Sequence, residues 1–328
     1  MTTTETGPAP GVTHMLYPYA DHDQYLSGTL AYIERARANG GTVVVAAEPA
    51  RREQLLPRVP DVDSVVFVDP GAVSRNPGRF ISAWQEWIGQ VAKDRPVHGI
   101  NESVWSGRSA AHVSELRYQE WLLNRAFAKA PAWSLMCPFD TAGQDAAVVS
   151  SIARCHPLLW DGAKPVASTG YVVGDYPFEA LAEPTGPVRR MAFDLAALGA
   201  VRETAGRFAA DCGLGADRVR DLKLAVTEVA ANSIRHGGGR GTALLWRTDA
   251  SVVCELSDTG VITDPLVGLV RPTAAQTGGR GLWFVNNLCD LVEIRSTPGE
   301  GTRVRMSMEL PAVNGSRQSP RLAADTHT

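Results

Sequence analysis

Glu228, Asn232 and His236 recur every four residues in the stretch Thr227–Gly238, TEVAANSIRHGG. Side chains four apart on a helix share one face. A carboxylate so placed can take a proton from an attacking hydroxyl or position it, and an amide oxygen suits a hard cation such as Mg2+. Alone, the pair reads as solvated helix surface. Three further stretches follow. Asp258-Thr259-Gly260 closes an apolar run, and an aspartate at a strand end can accept a hydrogen bond from an exocyclic amine such as adenine's. Gly278-Gly279-Arg280-Gly281-Leu282 opens a helical pattern. Glycines let backbone N–H groups approach phosphates, and the helix N-terminus that follows favours negative charge. Gly299-Glu300-Gly301-Thr302 precedes a last strand. Singly, each is an ordinary turn. Together and in this order they describe a nucleotide site.

The elements that must position these residues can be read from periodicity. A helix over 216–236 buries Val219, Leu222, Val226, Val229 and Ala230 and stops at Gly237-Gly238-Gly239. Before it, a strand at 189–195 and a helix at 200–212 are expected. After it come hairpin strands at 241–248 and 251–257, an irregular segment at 258–278, a helix at 281–289, and strands at 291–296 and 302–310. Hairpin-linked strands imply a mixed or antiparallel sheet with helices on one face, an α+β layer.

The first half differs. Strands at 42–47, 64–68, 97–102 and 132–137 alternate with helices at 23–39, 80–91, 109–128 and 141–155. That alternation implies an α/β domain with a mainly parallel sheet, whose ligands gather at the carboxyl ends of strands. Those ends carry Glu48, Asp69, Glu102 and Asp140, either as ligand contacts or as caps of the following helices. No GxxxxGK[ST] and no GxGxxG follows any of these strands. Residues 162–187 read as the end of this domain and a linker. The expected domains are 14–181 and 187–311, with disordered tails at 1–13 and 312–328.

The chain has 328 residues, 44% of them hydrophobic, and a net charge of −3, which argues against a broad basic surface for nucleic acid. No apolar run approaches the roughly 18 residues that would span a membrane, and MTTTETGPAPGV is not a secretion signal. Five scattered cysteines without a CxxC fit reduced thiols and a cytoplasmic protein.

The second half, over roughly 189–310, resembles the Bergerat-type ATP-binding domain, an α/β sandwich shared by gyrase, Hsp90, histidine kinases and MutL. Within that group it is most similar to bacterial anti-sigma factors that act as serine kinases. The resemblance implies that Glu228 is the catalytic base and Asn232 the Mg2+ ligand. It implies that Asp258, with Gly260, holds adenine, that Gly279, Arg280, Gly281 and Leu282 hold phosphates, that Thr302 supports the adenine side, and that 263–277 is the ATP lid. ATP and Mg2+ are then the cofactors, and a sigma factor and a STAS-type anti-anti-sigma protein the partners. A homodimer is left open. Two departures stand out: Val261-Ile262 lacks the family's second glycine, and Thr277 replaces a basic residue before the phosphate glycines. They leave room for a non-catalytic, ATP-gated binding module. A degenerate histidine kinase would require a phosphorylated His, and no helical hairpin for one lies between Trp160 and Arg190.

The first half resembles the MEDS sensory domains of methanogens and methylotrophs, which are similar to RecA-type folds without a phosphate loop. The matching residues are His14, Tyr17, Asn76-Pro77, Glu102, Arg108, Glu120, Asn124, Cys137-Pro138, Asp140 and His156-Pro157. The resemblance implies sensing of a small molecule, with a sensory site drawn from His14, Glu102, Cys137, Asp140 and His156. Alternatively, Cys137 is a small buried hydrophobe and His156 a helix-end residue.

Overall fold

The computed structural model describes residues 12–60, 64–91, 95–102, 108–129, 131–142, 144–174, 176, 179–273 and 279–311. The expected tails at 1–11 and 312–328, and Thr277 and Gly278, lie outside the described residues. The chain forms two sheets, one mostly parallel and one antiparallel.

The first sheet has the strand order β3-β2-β4-β5-β1-β6-β7. Its strands are β1 (Val12–Tyr19), β2 (Thr42–Ala46), β3 (Val65–Val68), β4 (Val97–Asn101), β5 (Trp133–Asp140), β6 (Leu158–Trp160) and β7 (Pro165–Ala167). All neighbours pair in parallel except β6 and β7. Helices α1 (His22–Ala38), α2 (Pro49–Leu55), α3 (Gly71–Arg75), α4 (Phe80–Val91), α5 (Ala110–Ala126) and α6 (Ala146–Ala153) connect them. Residues facing α1 (Met15, Val43, Val45, Ile100) form one core layer. Residues facing α4 and α5 (Val44, Leu135, Cys137) form the other, with Trp84 and Leu122 from the helices.

Three sequence expectations change. Residues 12 and 13, assigned above to the tail, begin β1, which lies inside the sheet between β5 and β6. Strand β5 does not stop at Cys137 but runs through Pro138 to Asp140. Residues 165–167, expected as an irregular end of the first domain, add the antiparallel edge strand β7.

The second sheet has the order β11-β12-β10-β9-β8, all antiparallel. Its strands are β8 (Arg189–Asp194), β9 (Arg240–Arg247), β10 (Ser251–Asp258), β11 (Leu291–Thr297) and β12 (Gly301–Glu309). Helices α7 (Leu198–Asp211), α8 (Ala216–His236) and α9 (Arg280–Leu288) cover one face. Leu222, Val226, Val229 and Ala230 of α8 are buried there, as the periodicity predicts. The other face is polar yet covered. Glu255 accepts from Arg303 Nε and Arg305 Nε (2.9 Å each), and the Arg305 guanidinium lies over the Trp246 ring.

The two halves meet at α9. Its last carbonyls have no intrahelical partners, and side chains of the first half satisfy them. Asn76 Nδ2 donates to Asn286 O (2.8 Å), and Arg79 donates to the carbonyls of Asn286, Asn287 and Cys289. Nearby, Arg295 of β11 donates to Glu115 of α5 (2.8 Å) across a buried contact. Burial pushes the Glu115 carboxyl up to about 7, against the pull of Arg295 and with Glu293 adding to the rise.

Two outcomes follow from this contact. Arg79→Ala should lower stability in urea denaturation by about 1–3 kcal/mol, because the part-buried carbonyls of Asn286 and Cys289 lose a charged donor. A loss under about 0.5 kcal/mol would mean that water serves those carbonyls equally well. The raised Glu115 carboxyl favours the packed state while protonated, so its contribution is full at acid pH and is lost as pH rises through about 7. Thermal midpoints measured from pH 5 to 8 should therefore fall less steeply in Glu115→Gln than in the parent. Parallel profiles would reject the assignment.

Candidate functional site

The nine residues that the resemblance assigns to adenine, phosphate, Mg2+ and catalysis line one cleft of about 550 Å³ in the second half. Glu228 and Asn232 come from α8, Asp258 and Gly260 from the end of β10, Thr302 from β12, and Gly279, Arg280, Gly281 and Leu282 from the start of α9. His236 lies on its rim at the end of α8. Two main-chain close approaches shape the floor. A Cβ on Gly237 would lie 2.2 Å from Asp258 Cγ, and one on Gly260 would lie 2.6 Å from His236 O. Asp258 Oδ1 accepts from Gly260 N (2.8 Å), which orients the carboxylate. Thr302 Oγ1 donates to Gly260 O (2.8 Å) and meets Ser296 Oγ at 2.7 Å, while Ser296 Oγ accepts from Ile262 N. The turn after Asp258 is thus pinned by hydroxyls of β11 and β12.

The wall opposite Asp258 is the N-terminus of α9. Gly279, its N-cap, is left-handed (φ +81°) and gives no side-chain cap, and no acidic residue occupies the first turn. Backbone N–H groups there suit an anion. A Cβ on Gly281 would lie 2.7 Å from Glu228 Oε2, so the absent side chain lets a carboxylate, an amide and a helix N-terminus share one space. These residues fit a nucleotide phosphate and its cation.

The segment expected as the lid is described over 263–273. Its first part does not lie over the cleft alone. Leu266, Leu269 and Val270 pack into the core layer of the first half, and Arg271 pairs with Glu86 of α4 (3.3 Å). Ile262, standing where the resemblance expects glycine, lines both the cleft and a second cavity of about 280 Å³ between the halves. The far wall of that cavity includes Glu115, Tyr118 and Gln119 of α5.

The five sensory candidates fall into two groups. His14, Cys137 and His156 converge, together with Glu120 of α5, and all four are buried. Burial pushes the Cys137 thiol well up, with Glu120 adding to the rise, and holds His156 down at about 3, with His14 adding to the fall. Glu102 lies elsewhere, accepting from Arg51 Nε (2.9 Å) and Tyr25. Burial raises its carboxyl and Arg51 opposes the rise. Asp140 is exposed and accepts from Ala142 N (2.8 Å), a turn contact, as Asp69 does from Gly71 N. Sequence reasoning left Glu120 out of the site. Its available signal was a Glu120/Asn124 pair four apart on a helix face that is otherwise buried.

Residues 13–157 match the family described as MEDS: MEthanogen/methylotroph, DcmR Sensory domain. Residues 191–308 match the histidine kinase-like ATPase domain. The anti-sigma F factor of Pasteuria penetrans is 30% identical over 110 residues, covering 29% of this chain and 71% of that protein. The anti-sigma F factor of Clostridium acetobutylicum is 24% identical over 121 residues, 34% of this chain and 85% of the relative. That of Thermoanaerobacter sp. (strain X514) is 28% identical over 115 residues, 32% and 80% respectively.

The glycines near the cleft differ in what they tolerate. Gly301 has φ +91° and a Cβ there would lie 2.1 Å from Asp258 O, whereas Gly299 has φ +89° with open space around it. Gly301→Ala should cost about 3 kcal/mol or more in thermal unfolding and Gly299→Ala about 1 kcal/mol. Equal losses would show that the close approach at Asp258 is not what requires Gly301.

Proposed function

We propose that this chain, which belongs to the anti-sigma F factor family and carries a MEDS sensory domain ahead of a histidine kinase-like ATPase domain, is a cytoplasmic regulator that binds Mg·ATP, holds a sigma factor, and phosphorylates an anti-anti-sigma protein of the STAS type on serine. The observation that carries this reading is the convergence of nine sequence-assigned residues on one cleft. Asp258, pinned through Gly260, is the acceptor for the adenine amine. The first turn of α9 presents its backbone N–H groups to the phosphates. Bound Mg2+ would supply charge neutralisation at the transferring phosphoryl group, with Asn232 as its protein ligand. Glu228, beside Asn232 and the α9 N-terminus, accepts the proton of an incoming serine hydroxyl.

The sensory half acts on this site through two contacts: the carbonyl end of α9 and the lid arm at 266–271. Both connect a segment of the cleft to the first sheet's helices, and Ile262 separates the cleft from the cavity under α5. A second reading has one favouring observation. Ile262 is a half-buried apolar residue, its N–H bonded to Ser296 Oγ, at the position of a lid-hinge glycine, which suits a module that binds ATP only to order a partner surface.

Calorimetry should find ATP affinity at least about tenfold weaker in Asp258→Asn, since an amide replaces a charged acceptor. Unchanged affinity would remove the adenine assignment. Incubation with γ-labelled ATP and a serine-bearing STAS antagonist separates the two readings. Label transfer that Glu228→Ala abolishes, with ATP still bound, supports the kinase; binding without transfer in the parent chain supports the module.

A further inference from the structure

We infer that His14, Glu120, Cys137 and His156 form a binding site for one divalent transition-metal ion of the zinc class, buried between β1, β5, α5 and the turn after α6. The ligand atoms all lie within 4.8 Å of one another. His14 Nε2 is 3.2 Å from Glu120 Oε2 and 3.3 Å from Cys137 Sγ. Cys137 Sγ is 3.6 Å and His156 Nε2 3.7 Å from Glu120 Oε2. With metal–ligand bonds of ~2.0–2.3 Å, the edges of a tetrahedral site are ~3.3–3.8 Å. Four of the six edges already lie close to that range, and the remaining two, from His156 to His14 and to Cys137, are no longer than 4.8 Å, so an ion would draw His156 inward.

Three independent features point to a ligand rather than to core packing. First, His156 is fully buried and its Nε2, aimed at Glu120, has no hydrogen-bond partner. An orphaned imidazole nitrogen in a dry interior is costly, and a metal would satisfy it. Second, the outer nitrogens of both rings are already held. His156 Nδ1 donates to Ile152 O (2.9 Å), and His14 Nδ1 faces Asn124 Oδ1 (3.2 Å). Asn124 Nδ2 donates to Cys155 O (2.8 Å), which fixes the orientation of its amide. Each histidine therefore turns an Nε2 lone pair inward, the arrangement of metal-ligating histidines with outer-shell partners. Third, the donor set of two imidazoles, one thiol and one carboxylate is too soft for Mg2+ or Ca2+ and suits Zn2+.

The charges balance. Binding releases one proton to solvent from the Cys137 thiol. The resulting thiolate and the Glu120 carboxylate then neutralise a dication. Occupancy anchors α5 to the sheet, and Gln119, next to Glu120, lines the cavity facing the ATPase domain.

The untagged full-length chain, expressed in minimal medium with added Zn2+ or Co2+ and desalted, should hold close to one equivalent by mass spectrometry of the metal. The Co2+ form should show a thiolate-to-cobalt charge-transfer band and the intense visible bands of a tetrahedral ion. Cys137→Ser should lose the charge-transfer band, and Cys212→Ser, in the other half, should keep it. Asn124→Ala should keep the band with roughly 10- to 100-fold weaker affinity. Absence of stoichiometric metal in the folded parent chain overturns the site, as does a charge-transfer band that survives in Cys137→Ser. X-ray absorption on the parent Zn2+ form covers the case in which Cys137→Ser fails to fold: one sulfur at about 2.3 Å supports the site, and a first shell without sulfur overturns it.

Discussion

A helix must find partners for its last carbonyls, and in α9 those of Asn286 and Asn287 are met from the first half, while Arg218 of α8 donates to Leu288 O (2.6 Å). Asn76 is fully buried in meeting this need, and Arg79 spans three carbonyls. The interaction is costly to leave unmade, since α9 ends against protein rather than water. It also fixes how the two sheets sit. The turn Pro77–Arg79 lies against α5, α9 and β11 at once. The Glu115–Arg295 pair and the docked lid arm extend the same contact surface.

The polar face of the second sheet has a related logic. Glu255 and Arg305 are buried although they point away from the helical layer that covers their neighbours along each strand, Cys254, Leu256, Val304 and Met306. Their pairing is tolerable because each carboxylate oxygen has a guanidinium donor. The segment between the two halves closes over this face, with Leu181 buried, Glu183 paired with Arg303, and the Glu179 carbonyl accepting from Arg295 Nε (3.1 Å). A connection that looks like a spacer in sequence serves as part of the sheet's cover.

Legibility followed the physics of each element. The cleft could be read because its residues lie in short local motifs, and because α8 has one apolar face that leaves Glu228 and Asn232 on another. Strand β1 could not, since both of its faces are buried and Thr13, His14 and Pro18 break any apolar alternation. Pro138 concealed the end of β5, because proline normally argues against an inner strand. The His14–Glu120–Cys137–His156 cluster draws on residues up to 142 positions apart, from His14 to His156. Their meeting depends on β1 lying beside β5, which no local pattern reports. Arg79 carried no signal at all, because a capping arginine from another domain looks like any surface arginine.

Helix α9 is nine residues long, a stiff rod of roughly 13 Å. One end opens the cleft and the other is gripped by the sensory half. Free energy is a state function, so coupling between the two ends has to run both ways. Whatever factor a signal in the first half applies to affinity at the cleft, a ligand in the cleft applies to affinity for that signal. On the proposed function, the first half would therefore also report nucleotide state, and the ATP level would shift its detection threshold.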